Sequence, residues 1–466
     1  MRISSKMYLE VFLLALLRLG LRAFYRVPAS SRWTALTTQP PCEAVAIGTI
    51  ATLPIAFGLQ LWLVSYMAQH QLTSCYHSGP FPVVSDLSPT MGGAAELWPS
   101  LAIVAIAGAQ CALLFAVNSI FARNSSPIKT TLLVIACSVM VLQAIFAGAM
   151  TSPDAYSYVT YSQMGFASYV PSLNPIGIGH FFVWCSGFIP AAYGPGFIAY
   201  VELLLHFFHS SALAVLALRL ANAGWFLCVI WLVRAARVSQ RVVALTALNP
   251  ALLFQYVANA HNDIIAVVLV VAAILLAKRS AGGAAILVIV AALVKLPFAL
   301  IGTLAFVRIP NRAGRVWISF ATIGASIILS YALAGPGYFA TLAAYHRFLF
   351  PDADKVGYVV SAAAFVALTY ALLCRRFNQT LTYAFPALAV LTQPWYFVWS
   401  LPYAVCKRRY LPTLLILAPF AAVLMEDGIS HTALLAAYAA ACLAIGGGMI
   451  IDLRAAISRR HLRDGV

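Results

Sequence analysis

Charge is what this chain has least of. Only 9% of its 466 residues are Asp, Glu, Lys or Arg, against 62% that are hydrophobic, whereas a soluble domain carries roughly 25% charged and 45–50% apolar residues. So little charge cannot cover the surface of a water-soluble globule, which excludes a soluble enzyme or binding module. The net charge of +16 then does not mark a nucleic-acid binder, because the cytoplasmic loops of membrane proteins collect Lys and Arg.

Other absences narrow the chemistry. The nine cysteines include no CxxC pair and no Cys/His metal spacing. Cys42, Cys111, Cys137, Cys228, Cys374, Cys406 and Cys442 fall in or beside apolar runs, where free cysteine packs as a small hydrophobe. Only Cys75 and Cys185 lie in expected external loops, where a disulfide between them stays open. A Walker-type glycine loop is missing, as is a GxSxG nucleophile elbow. Met7 to Arg26 is interrupted by Glu10, Arg18, Arg22 and Arg26, which excludes a signal-peptide core and predicts a basic amphipathic helix on the cytoplasmic membrane surface.

What the chain has in abundance is apolar length. A spanning helix needs about 20 apolar residues, and such runs recur at Ala44–Met67, Leu97–Phe121, Thr130–Met150, Leu213–Val233, Val316–Ala334 and onward. The prediction is an all-α polytopic membrane protein with roughly 11–14 transmembrane or embedded helices. Its expected parts are a cytoplasmic N-terminal segment (1–41), a transmembrane domain (42–453) with its main external loop at 151–210, and a basic cytoplasmic tail (454–466).

The positive-inside rule orients it. Loops Ala68–Glu96 and Thr151–Ser210 contain no Lys or Arg and are read as external. Three apolar pairs then read as helical hairpins with basic residues at both feet. Their tips are Ala260-His261-Asn262-Asp263, Val294-Lys295-Leu296-Pro297 and Gln393-Pro394-Trp395-Tyr396. Some legs have only about 11–14 residues, short of a full crossing, and are expected to be embedded. After the third hairpin, Leu411–Met425 leads out and Ile429–Ile451 returns. Of the 29 Lys and Arg residues, this path leaves four off the cytoplasmic side: Arg219, Lys295, Arg347 and Lys355. Such cations are costly in a membrane and point to function.

Asp154 follows a helix end at the external surface and is itself followed by Tyr156 and Tyr158. It is a candidate general base, or alternatively a helix cap. His261, Asn262 and Asp263 interrupt an otherwise apolar hairpin, and Lys295 stands before a helix-breaking proline where its ammonium could meet a phosphate or snorkel to the interface. Tyr193 and the stretch Gln393 to Trp399, including Trp395 and Tyr396, supply aromatic rims suited to sugars or to an interfacial belt. Residues Gly335 to Lys355 read as an external loop carrying His346, Arg347, Asp352, Asp354 and Lys355. One base, several cations and aromatic surfaces at one face fit transfer of a group from a phosphate-linked lipid to a hydroxyl.

The order of these motifs resembles the GT-C superfamily of polyprenyl-phosphate-sugar-dependent glycosyltransferases, in particular the bacterial α-1,6-mannopyranosyltransferase-like group. The resemblance rests on Pro153-Asp154-Ala155-Tyr156-Ser157-Tyr158, Asn174-Pro175, Tyr193-Gly194-Pro195, Asn249-Pro250 with His261-Asn262-Asp263, Val294-Lys295-Leu296-Pro297 and Gln393-Pro394-Trp395-Tyr396. It covers about Met150 to Val405. Departures are Ile176, where tyrosine is usual, and a single Asp where many relatives carry an acidic pair, so a divalent cation remains possible and no cofactor is certain.

The resemblance implies an inverting hexosyltransferase of the bacterial inner membrane, with mannose the sugar by analogy, while the positive-inside rule places both termini in the cytoplasm. Asp154 would be catalytic, and Arg219, Lys295 and Arg347 would bind donor phosphate. Tyr156, Tyr158, Tyr193, His261, Asn262, Asp263, Gln393, Trp395 and Tyr396 would bind substrate. Its partners would be a polyprenyl-phosphate sugar, a glycan or glycolipid acceptor and the bilayer, not nucleic acid. A transporter or flippase of a lipid-linked sugar is the alternative, although its coupling residues belong near the midplane of repeated halves.

Overall fold

The computed structural model describes residues 41–70, 97–123, 126–148, 154–169, 190–349, 398–399, 401–402, 405, 415–416 and 418–419. The expected N-terminal surface helix, Cys75 and Cys185, Asn174-Pro175, the third hairpin tip with Gln393, Trp395 and Tyr396, the last span and most of the one before it lie outside them. Helices account for the fold, and no strand occurs among the described residues. In a bilayer the backbone must satisfy its own hydrogen bonds, which a helix does within one segment.

In chain order the helices are α1 (Pro41–His70), α2 (Leu97–Arg123), α3 (Pro127–Ile145), α4 (Asp154–Met164), α5 (Pro195–Leu205), α6 (Ser211–Ala235), α7 (Gln240–Ala247) and α8 (Pro250–Leu253). They continue with α9 (Asp263–Leu276), α10 (Ala281–Val294), α11 (Phe298–Ile301) and α12 (Arg312–Leu349). Five stretches are long and apolar enough to cross a membrane: Glu43–Tyr66, Ala102–Phe121, Pro127–Ile145, Ser211–Ala235 and Ala313–Ala343. The chain is an integral membrane protein.

Helix α1 packs against both α2 and α3. Inside them Gln110 Nε2 donates to Gln60 Oε1 at 2.9 Å, and Gln143 Nε2 donates to the Pro54 carbonyl at 3.2 Å. Polar bridges of this kind hold helices together where lipid removes any hydrophobic reason to associate.

The first two hairpins follow the expected course, with physical causes for their bends. Helices α7 and α8 meet at 45°, because Pro250 cannot continue α7 and Asn249 restarts the helix. Asn249 Oδ1 accepts from the amides of Ala251 and Leu252, while its Nδ2 donates to the Leu415 carbonyl at 2.8 Å. A π-helical turn, Phe254–Ala258, extends α8, and Ala260 follows with φ of 56°. α9 and α10 run 14 residues each, or about 21 Å at 1.5 Å per residue, against a hydrocarbon core of about 30 Å. Neither crosses alone. Lys295 leaves α10 in an extended conformation, as the residue two places before Pro297.

One expectation is corrected. Gly335 to Leu349 is helical rather than an external loop: α12 kinks at Gly335, with φ of 70°, and continues to Leu349. Glycine supplies the left-handed residue, and Pro336 fits the first turn of the resumed helix.

Candidate functional site

α4 is a polar helix placed where an apolar one would be ordinary. Asp154, Tyr156, Ser157, Tyr158, Thr160 and Tyr161 are all buried. Burial of polar groups is unfavourable unless they are hydrogen-bonded, so this helix needs partners, and for Asp154 they come from α4 itself and from two other segments. Tyr193 Oη donates to Asp154 Oδ2 at 3.0 Å, and Tyr158 Oη donates to the same oxygen at 3.3 Å. His261 Nδ1 lies 3.0 Å from it. Because a carboxylate only accepts, this imidazole nitrogen carries the proton.

Burial acts to raise the Asp154 carboxyl. The His261 hydrogen bond and charge, the Lys295 charge and the Tyr193 hydroxyl outweigh it, holding the group below the ordinary carboxylate value. Asp154 is therefore ionised at neutral pH. Tyr158, pushed well above the usual phenol range by burial and then by the charges of Asp154 and Asp263, stays a donor.

Beside this centre is an ion pair. Asp263 opens α9 and Lys295 ends α10, where the helix dipoles favour an anion and a cation respectively. Lys295 Nζ donates to Asp263 Oδ1 at 2.8 Å, and Trp399 Nε1 donates to the same oxygen at 2.7 Å. The ammonium also lies 5.3 Å from the Trp399 ring centroid and 5.8 Å from that of Tyr193, within cation–π range. Among the described residues, both amide atoms of Asn262 and Asp263 Oδ2 are buried without a hydrogen-bond partner. Among the described residues, no group of three or more His, Cys, Asp or Glu side chains is arranged to hold a metal ion.

Tyr193 is placed by its neighbours. Its carbonyl accepts from Tyr169 Oη at 2.8 Å. The next amide, of Gly194, donates to the Val294 carbonyl at 2.9 Å, one of the acceptors α10 leaves open at its end. A Cβ on Gly194 would sit 2.2 Å from the Leu293 carbonyl oxygen. Gly194→Ala is therefore expected to force the Tyr193 segment off α10 and destabilise the protein by about 3 kcal/mol, read as a lowered midpoint of thermal unfolding in detergent.

The His261 tip is held from α6. Arg219 and Asn222 lie one turn apart and face the π turn. Asn222 Nδ2 donates to the carbonyls of Tyr256 at 2.7 Å and His261 at 3.0 Å. Arg219 Nε donates to Ala258 O at 2.8 Å, and one of its terminal nitrogens donates to Ile145 O at 3.2 Å and Ala147 O at 2.7 Å. A guanidinium at helix ends satisfies carbonyls that the helices cannot. Arg219, expected at a phosphate, is thus engaged with backbone and joins the ends of α3 and the π turn. Tyr156 is close enough to Arg219 to feel its charge.

Asn222→Ala, which removes both bonds from the tip backbone, is expected to lower kcat about tenfold, from roughly 1.4 kcal/mol of lost positioning. Steady-state transfer kinetics would show it.

The structure thus brings together Asp154, Tyr158, Tyr193, His261, Asp263 and Lys295, with Asn262 between two of them in sequence. Arg347 falls in the last turn of α12, and its side chain is outside the description. Asn222, Tyr169 and Trp399 join the site without having been singled out for it. Asn222 looks like one polar residue in an apolar helix, and the only available signal was its spacing of three from Arg219.

These helices form a membrane-embedded scaffold around a buried carboxylate–imidazole–ammonium centre, the kind of site at which protons and anions are handled out of water. The chain belongs to the α-(1→6)-mannopyranosyltransferase family, whose N-terminal-domain model matches residues 45–310. It is a glycosyltransferase, and every site residue described above except Trp399 lies within the match. No curated protein and no solved structure matches the chain.

Proposed function

We propose that this chain transfers a hexose, mannose by its family, from a polyprenyl-phosphate donor to a hydroxyl of a glycan or glycolipid, on the non-cytoplasmic face of the bacterial inner membrane. The observation that carries the reading is Asp154: an ionised, buried carboxylate fixed by three side-chain donors, with the Lys295 ammonium close enough to affect it.

In this reading the acceptor oxygen attacks the anomeric carbon and its proton passes to Asp154 as general base. The bond from that carbon to the phosphate oxygen breaks, and its electron pair leaves with the lipid phosphate. Lys295 neutralises the charge that develops there. Tyr158, Tyr193 and His261 hold the carboxylate in one orientation. The Asn262 amide and Asp263 Oδ2, buried without partners among the described residues, suit sugar hydroxyls.

Sidedness is supported by the helix ends. Lys129 starts α3 and Arg234 ends α6, while Lys278 and Arg279 separate α9 from α10. Asp263 and Lys295 lie at the opposite ends of α9 and α10 from Lys278 and Arg279, with His261 just ahead of α9 and bonded to Asp154 at the start of α4, and basic ends face the cytoplasm.

The test uses purified protein in lipid with a radiolabelled polyprenyl-phosphate mannose and a mannoside glycolipid. The expected outcome is glycosylated acceptor and lipid phosphate in equal amounts, with no turnover from a nucleotide sugar. Movement of the donor across the bilayer with no product would instead identify a transporter.

A further inference from the structure

The pairing of Lys295 with Asp263 bears on which charge state of a phosphate the site can hold, and this step rests on the lipid-phosphate reading above. An ammonium meant only to attract phosphate would bind a doubly charged phosphate more tightly than a singly charged one. Here the ammonium has a carboxylate 2.8 Å away, both side chains being nearly or fully buried. That carboxylate is anchored. Trp399 Nε1 donates to the same Oδ1 at 2.7 Å, and Asp263 opens α9, where the helix dipole favours a negative group. An anion arriving at Lys295 therefore meets Asp263 as a fixed neighbour.

The transfer step changes the charge of the phosphate. The donor is a phosphodiester with a single negative charge. When the anomeric C–O bond breaks with its electron pair on the phosphate oxygen, a phosphomonoester results. Its second ionisation has a pKa of about 6, so near neutral pH it carries close to two charges.

We propose that Asp263 is a charge-selecting residue: it lets Lys295 hold the monoanionic phosphodiester donor and weakens the hold on the dianionic phosphomonoester product, so that the spent lipid phosphate leaves. A second negative charge about 5 Å from a fixed carboxylate, at an effective dielectric constant near 20, disfavours binding by roughly 10-fold to 100-fold after allowance for screening. Asp154 does not oppose this selection. It is protonated by the acceptor at the moment the dianion forms, while His261 stays on Asp154 rather than on the phosphate.

The test measures affinity of the full-length protein in nanodiscs, at pH 8, for geranyl phosphate and for geranyl methyl phosphate, a monoester and a permanently monoanionic diester with the same prenyl chain. The wild type is expected to bind the diester at least as tightly as the monoester. Asp263→Asn is expected to shift the ratio of affinities toward the monoester by tenfold or more. A parallel weakening of both ligands, or an unchanged ratio, would mean that Asp263 is only structural and would overturn the proposal. Should Asp263→Asn fail to fold, the wild type still decides, because tighter binding of the monoester than the diester contradicts charge selection. Binding of neither ligand would overturn the lipid-phosphate reading itself, and the charge-selection inference with it.

Discussion

Replacing Asp154 by asparagine is expected to lower kcat by roughly 10²–10⁴-fold, the range attributable to a lost general base, while donor affinity and folding stay near those of the wild type. The amide has the shape of the carboxylate, and its oxygen can still accept from Tyr193, which donates at 3.0 Å in the native protein. It cannot take a proton from the acceptor hydroxyl. Two assays separate the effects: equilibrium binding of the labelled donor, expected to change little, and single-turnover transfer, expected to collapse. Near-normal turnover would remove Asp154 from the mechanism.

The second large effect concerns stability. Lys295→Met would leave Asp263 buried, with the Trp399 indole as its described donor and no cation to balance it, and breaking a buried pair from one side costs about 3–5 kcal/mol. Adding Asp263→Asn removes the stranded charge, so the double variant should recover most of that loss. It should not recover transfer, because in the proposed reaction the Lys295 ammonium meets the phosphate. Thermal unfolding and transfer rates of the two single variants and the double variant test this together. Additive destabilisation would mean that the two side chains do not act as a pair.

Much of the fold could be read from the sequence because lipid leaves few choices. Apolar runs long enough to span are helices, and α10 ends just ahead of Pro297, whose ring disfavours a helical residue before it. The break at Asn249-Pro250 and the tip at His261 had equally local causes. The continuation of α12 past Gly335 did not. A Gly-Pro pair marks a bend, and whether the chain resumes a helix afterwards depends on what it packs against.

The site was partly legible for a related reason. Ionisable residues in an apolar sequence stand out, so Asp154, His261, Asp263 and Lys295 could be named, though not their pairing. Pairing depends on which helix ends meet, and here Gly194 decides part of it by allowing the Tyr193 segment to lie against the end of α10. The use made of Arg219 was hidden. A guanidinium two turns into a helix looks the same in sequence whether it faces a phosphate or three backbone carbonyls. Trp399 was hidden among neighbouring aromatics that an interfacial belt explains equally well.

Single displacement at a carboxylate base inverts the anomeric carbon, and the anomeric configuration of the product tests that most directly. With a β-linked polyprenyl-phosphate mannose and a soluble mannoside acceptor, proton NMR of the product should show only the α-linkage, formed roughly 10²–10⁴-fold more slowly by Asp154→Asn. A β-linked product would mean retention, and Asp154 would then not be acting as the base of a single displacement.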